Sequence, residues 1–180
     1  MNTRNLVALA SSLLVVALCS DSHAASSGTA TFDRSMKPLL AQYMRIHDAL
    51  ASDKLSGVAA AGKRIAKLAT KVKPETVKGQ HKAHYASLPK KIRAAAKKLA
   101  GAKSLATARD AFKELSRPMA MWVTMSKPAG VNVVFCSMAK GSWLQTDAKI
   151  RNPYYGAKML SCGQIIGGTH KGKASGHMKH

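Results

Sequence analysis

Four sulfur-bearing side chains fall into two close pairs: Cys136 with Met138, and Met159 with Cys162. Thiolate and thioether donors together suit a soft monovalent cation such as Cu(I) or Ag(I). Zinc asks for imidazole or for more thiolates, so a set of Cys136, Met138, Met159 and Cys162 discriminates towards copper. The same two thiols have a second use. Joined to each other they form a disulfide that closes the intervening loop, with Met138 and Met159 as core filler around it. The two uses exclude each other, because a disulfide has no thiolate to offer a metal. Residue chemistry leaves both open but favours the disulfide in an exported protein.

Other candidates are weaker. His81 and His84 share a face if their segment is helical and would then suit a divalent metal, though an exposed polar pair is the plainer reading. His170, His177 and His180, with Met178 among them, make a sparse accessory set for copper near the C-terminus. The eight acidic residues are scattered without a paired-carboxylate pattern, and no Ser/His/Asp constellation appears. No Cys-x-x-Cys is present either. The chain reads as a non-enzyme.

The elements that must position these residues follow from apolar spacing. Leu39, Tyr43, Ile46 and Leu50 form one helical stripe, and Leu55, Val58, Ala61, Ile65, Leu68 and Val72 a second. Leu88, Ile92, Ala95 and Leu99 form a third; Leu105, Ala108, Phe112, Leu115, Met119 and Trp122 form the longest. Each stripe is one face wide with lysines opposite, as in packed helices. Ser52 and Asp53 supply cap chemistry between the first two helices, and Ser87 and Ser104 cap the third and fourth. Gly101 offers a left-handed closure after the third helix, and Pro118 predicts a kink near Leu115. After Gly130 the period changes. "VNVVFCSM" is β-branched and reads as a strand with Val134, Cys136 and Met138 on one face. "CGQIIG" is a shorter strand; antiparallel pairing of the two would bring Cys136 and Cys162 together around a folded loop. Trp143 reads as a core plug, and Asn152, Pro153, Tyr154, Tyr155 and Gly156 as a fixed turn.

The ends read differently. A short basic start, an apolar run and Ser22-His23-Ala24 make residues 1–24 a signal peptide, with 25–34 a flexible linker. Export to the periplasm or beyond would place Cys136 and Cys162 in an oxidising compartment. "VALC" at Cys19 offers a lipoprotein alternative, although Leu18 stands where a small residue is normally required. The stretch 167–180, rich in Gly, Lys and His, has no apolar period and reads as disordered. The net charge is +21, and between Lys71 and Lys103 ten Lys or Arg face only Glu75. Such a surface is a solvated lysine face that attracts anionic surfaces. Aromatics are 5% of residues and do not interleave with the basic run, so no stacking platform for a specific nucleic acid is built.

The stretch "CSMAKGSWLQTDAKIRNPYYGAKMLSCG" resembles a family signature: Cys, a Met two residues on, Gly then Trp-Leu, an Ile-Arg-Asn-Pro-Tyr core and a closing Met-Leu-x-Cys-Gly. The family is a bacterial domain of unknown function. It occurs alone in exported proteins and at the C-terminus of membrane-fusion subunits of copper/silver-type efflux pumps. "YMRIHDALASDKL" and "ARDAFKELSRPM" are similar to its helical half, and Ser137 stands where the family usually has proline. The resemblance implies copper handling beside an efflux system or another periplasmic copper protein. The expected architecture is mostly α: an antiparallel bundle of about four helices over 35–127, then a small strand and loop module over 131–166, the two forming one domain over 35–166.

Overall fold

A computed structural model describes residues 28–79 and 82–168. The mostly α architecture is as expected. Helices α1 (Ala30–Ala51), α2 (Val58–Ala69), α4 (Leu88–Gly101) and α5 (Leu105–Ser126) carry the four stripes, except that Leu55 and Val72 of the second lie outside α2, and a short α3 (Lys82–Ala86) precedes α4. The stripe residues Leu39, Tyr43, Ile46, Leu50, Ile65, Leu88, Ile92, Phe112, Leu115, Met119 and Trp122 are all buried in one core. No described helix is long and apolar enough to cross a membrane.

Several local expectations are corrected. Residues 30–34, read as part of a linker, are the first turn of α1, with Phe32 buried. Asp33 holds them there, accepting hydrogen bonds from Trp122 Nε1 at 2.7 Å, Ser126 Oγ at 2.5 Å and Thr29 Oγ1 at 2.6 Å. Ser52 and Asp53 do not cap α2: Ser52 closes α1, its N–H on the Asp48 and Ala49 carbonyls, and α2 starts after Gly57, whose φ of 80° turns the chain. Ser87 makes no side-chain cap, and Gly101 is the last residue of α4 rather than a left-handed closure. Ser104 does cap α5, in a reciprocal box with Thr107. Pro118 lies inside α5, which continues past it as one helix to Ser126. Gly62 lets α2 approach α4 closely, because a Cβ there would come within 2.9 Å of the Ala100 nitrogen.

The C-terminal module is a three-stranded antiparallel sheet in the order β2-β1-β3, built from β1 (Asn132–Cys136), β2 (Gly141–Gln145) and β3 (Gln164–Gly168). The two expected strands pair antiparallel as anticipated, with Phe135 opposite Gln164. The expected loop, however, contains β2, which makes β1 the central strand. Trp143 on β2 is fully buried, as a core plug should be. The sheet packs on α5 and α1 through Tyr43, whose hydroxyl shares a hydrogen bond with Ser116 Oγ at 2.6 Å and accepts from the Leu144 N–H at 3.1 Å. Burial pushes the Tyr43 hydroxyl well above its ordinary range.

Candidate functional site

Cys136 is the last residue of the central strand and is 1% exposed. The chain then turns through Ser137–Lys140, with Lys140 at φ 47° and its N–H on the Ser137 carbonyl, before entering β2. Cys162 arrives from the other side, after a 3₁₀ turn (Gly156–Met159) and just before β3. It is partly exposed. The pairing of Phe135 with Gln164 places these two segments side by side at the end of β1. Both cysteines are free thiols, and their Sγ atoms are 2.9 Å apart.

The two thiols are electrostatically unequal. Burial pushes Cys136 up, but the hydrogen bond from Cys162, the Ala139 and Met138 N–H groups and the Asn152 side chain outweigh it, so its value is lowered. Cys162 is raised, first by its hydrogen bond to Cys136, then by burial and by the neighbouring charge. Of the pair, Cys136 is therefore the thiol that ionises more readily and Cys162 the one that keeps its proton longer. Two sulfurs so placed can bond to each other or share a soft cation.

Asn152 organises the return of the chain to β1. Its Oδ1 accepts from the Tyr154 N–H at 2.8 Å and the Tyr155 N–H at 3.3 Å. Its Nδ2 donates to the Cys162 carbonyl at 2.7 Å, so the fixed turn and the second thiol are held by one buried side chain. Gln145 does the same for the loop before it, accepting from Trp143 Nε1 at 3.0 Å and donating to the carbonyls of Asp147 and Lys149. The turn is then clamped to the bundle. Asp53 accepts from the Ala157 N–H at 2.8 Å and from Arg109 Nη2 at 2.5 Å; these two donors, the backbone one first, hold its carboxyl below the usual range. Arg109 also donates from Nε to the Pro153 carbonyl at 3.0 Å. Buried His47 bonds the Arg151 carbonyl through Nε2 at 2.8 Å and Asp48 through Nδ1 at 3.1 Å; burial, outweighing both bonds, lowers its pKa.

The methionines are placed less tightly. Met138 is not on the strand face with Cys136, because β1 ends one residue after Phe135; it sits in the following turn and is 62% exposed. Its carbonyl accepts from Tyr155 Oη at 3.2 Å. Met159 closes the 3₁₀ turn, half-buried, and its carbonyl accepts from the Cys162 N–H at 3.0 Å. The structure therefore brings the two thiols together and sets each methionine in the turn beside its cysteine. Among the described residues no three His, Cys, Asp or Glu side chains gather as a metal site. His81, His170, His177, Met178 and His180 lie outside the described residues, as do the signal peptide and Cys19. Asp53, Arg109 and His47 were not anticipated at the site. Their partners lie 104, 44 and 104 residues away, so no local pattern could have announced them.

A family model described as a protein of unknown function (DUF3347) matches residues 39–129. The matched span is the bundle, and it ends before β1; the sulfur signature lies beyond it. Neither the curated proteins nor the solved structures contain a match.

Proposed function

We propose, for a chain that belongs to the DUF3347 family of proteins of unknown function, that it is an exported protein which binds or buffers copper as Cu(I) and serves a metal-efflux or homeostasis system. Cys136 and Cys162 supply the thiolates, and Met138 and Met159 the thioethers. The observation that carries this reading is the pair of free sulfurs 2.9 Å apart at the end of a clamped sheet, with a methionine in the turn beside each. The donor set fits the ion. Thiolate and thioether are the ligands a soft monovalent metal prefers, and Cys136 is already biased towards the charged form by the groups around it. The periplasm or the extracellular space is the compartment this reading needs, with a copper/silver-type pump or another periplasmic copper protein as partner.

The test is competition against a Cu(I) chelator of known affinity, on reduced protein and on Cys136→Ser, Cys162→Ser, Met138→Leu and Met159→Leu. Loss of a thiolate removes charge and the stronger bond, so the serine variants should lose most affinity. The leucine variants keep their volume and should lose less, without unfolding. Zinc should bind much more weakly than copper to the parent protein. A double cysteine variant that binds copper as the parent does would refute the site and direct attention to His170, His177 and His180.

A second reading rests on the same separation. A Cys136–Cys162 disulfide would staple β1 to the segment before β3, making this a non-catalytic interaction domain whose basic helices meet an anionic membrane or an acidic partner. A free-thiol count on protein taken directly from its compartment separates the two: two free thiols favour the metal, none the staple.

A further inference from the structure

The two sulfurs differ in access, and the one that ionises more readily, Cys136, is the covered one. Cys136 is 1% exposed, packed at the end of the central strand with the Ala139 N–H 3.5 Å from its sulfur. Cys162 is partly exposed, beside exposed Ser161 and in the same turn as exposed Leu160. Thiol–disulfide exchange needs the incoming sulfur to approach in line with the bond that breaks, so access decides which sulfur reacts first. From this geometry we infer that Cys162 is a site of mixed-disulfide formation with external organic disulfides, and that Cys136 is its resolving thiol.

The chemistry has two steps. Cys162, having given its proton to solvent, attacks one sulfur of an external disulfide R–S–S–R. A Cys162–S–S–R bond forms, the R–S–S–R bond breaks, and R–S⁻ leaves to take up a proton. Cys136, 2.9 Å from Cys162 Sγ in the dithiol, then attacks that sulfur as a thiolate. The Cys136–Cys162 bond forms and a second R–S⁻ departs. Two thiols are oxidised and one external disulfide is reduced to two R–SH. In the reverse direction an external thiolate reaches Cys162 first, and Cys136 leaves into the turn where the Ala139 N–H points at it. Direct attack from outside on Cys136 has no comparable path, because its sulfur is covered. This assignment stands on the geometry of the pair alone, whether or not the pair takes metal.

Reduced protein spanning residues 25–180, which leaves out Cys19, is treated with excess glutathione disulfide, quenched with acid at intervals, and analysed by intact mass and peptide mapping. The parent protein should show a transient single adduct mapping to Cys162 and then an internal disulfide with no adduct. Cys136→Ser should accumulate a stable adduct on Cys162. Cys162→Ser should be modified at Cys136 at least about tenfold more slowly, since a buried thiol is inert towards reagents. Unfolded in denaturant, the two variants should react at similar rates, which ties the difference to the fold. A first adduct on Cys136 in the parent, or equal rates in the two folded variants, would overturn the assignment. Copper affinity is read on the same preparations in a separate titration, so failure here and failure of the metal reading are distinguishable.

Discussion

Replacing Gly163 by alanine tests whether the thiol pair depends on packing one residue away. A Cβ built at Gly163 would lie 2.6 Å from Cη2 of Trp143, 3.0 Å from Cγ1 of Val134 and 3.2 Å from Cγ2 of Ile150. Carbon atoms in ordinary contact sit about 3.5–4.0 Å apart, so at least the first approach must be relieved by movement. Trp143 cannot yield cheaply. It is fully buried, its Nε1 donates to Gln145 at 3.0 Å, and its ring meets Tyr154 edge-on with centroids 5.7 Å apart. Val134 is fully buried on the central strand. The backbone at residue 163 must therefore shift and carry Cys162 with it. Overpacking of this kind costs about 1–3 kcal/mol, which in urea is a midpoint shift on the order of 1 M. Gly167→Ala is the matched control, since its nearest neighbour would be Val133 Cβ at 3.9 Å and the residue is exposed. The expected result is a Gly163→Ala protein that is destabilised and forms the internal disulfide more slowly, beside a Gly167→Ala protein that does neither. Equal stability of Gly163→Ala and the parent, or equal damage from both substitutions, would refute the packing argument.

Acid should weaken the attachment of the module through His47. Its folded value is lowered mainly by burial, against the opposing bonds to Arg151 and Asp48, so the unfolded chain takes up this proton at higher pH than the folded one. Stability is then full above the unfolded value of about 6.5 and is lost as the pH falls through the depressed folded value; His47→Gln should flatten that part of the profile in denaturant titrations, and an unchanged slope would reject it. The basic helices should bind anionic vesicles with an affinity that collapses with added salt, because the screening length is about 10 Å at 0.1 M; strong binding indifferent to salt would point to an apolar contact instead.

Helices were legible where a stripe ran for several turns, because period alone decides them; α1, α2, α4 and α5 bury most of the residues that the spacing selected, with Leu55, Leu68 and Leu105 only half-buried. Short elements were not. α3 is five residues long and owes its place to Tyr85, buried and bonded through its hydroxyl to Ser126 forty-one positions on. β2 does not alternate: Gly141, Trp143, Leu144 and Gln145 are all buried, and it is a strand because β1 pairs with it. Asp53 looked like a cap because cap chemistry is local and its real partners are not. The approach of Cys136 to Cys162 was legible, since antiparallel pairing of the two strands forces it. The place of Met138 was not, because a strand ending at Cys136 and one running on to Met138 read alike in residue types.

The clamp between module and bundle also sets an order in time. Leu144 reaches Tyr43 across 101 residues and Arg151 reaches His47 across 104, whereas each helix is decided within a few turns. Contacts that close long loops repay their entropy only after the local ones exist. This implies that the separate helices and the β1–β2 hairpin precede the clamp, which closes over separations close to the 89 residues that tie Trp122 of α5 to Asp33 of α1. Joining α1 to α5 and seating the module on Tyr43 therefore belong to one late step, in which the two halves of the chain become a single folding unit.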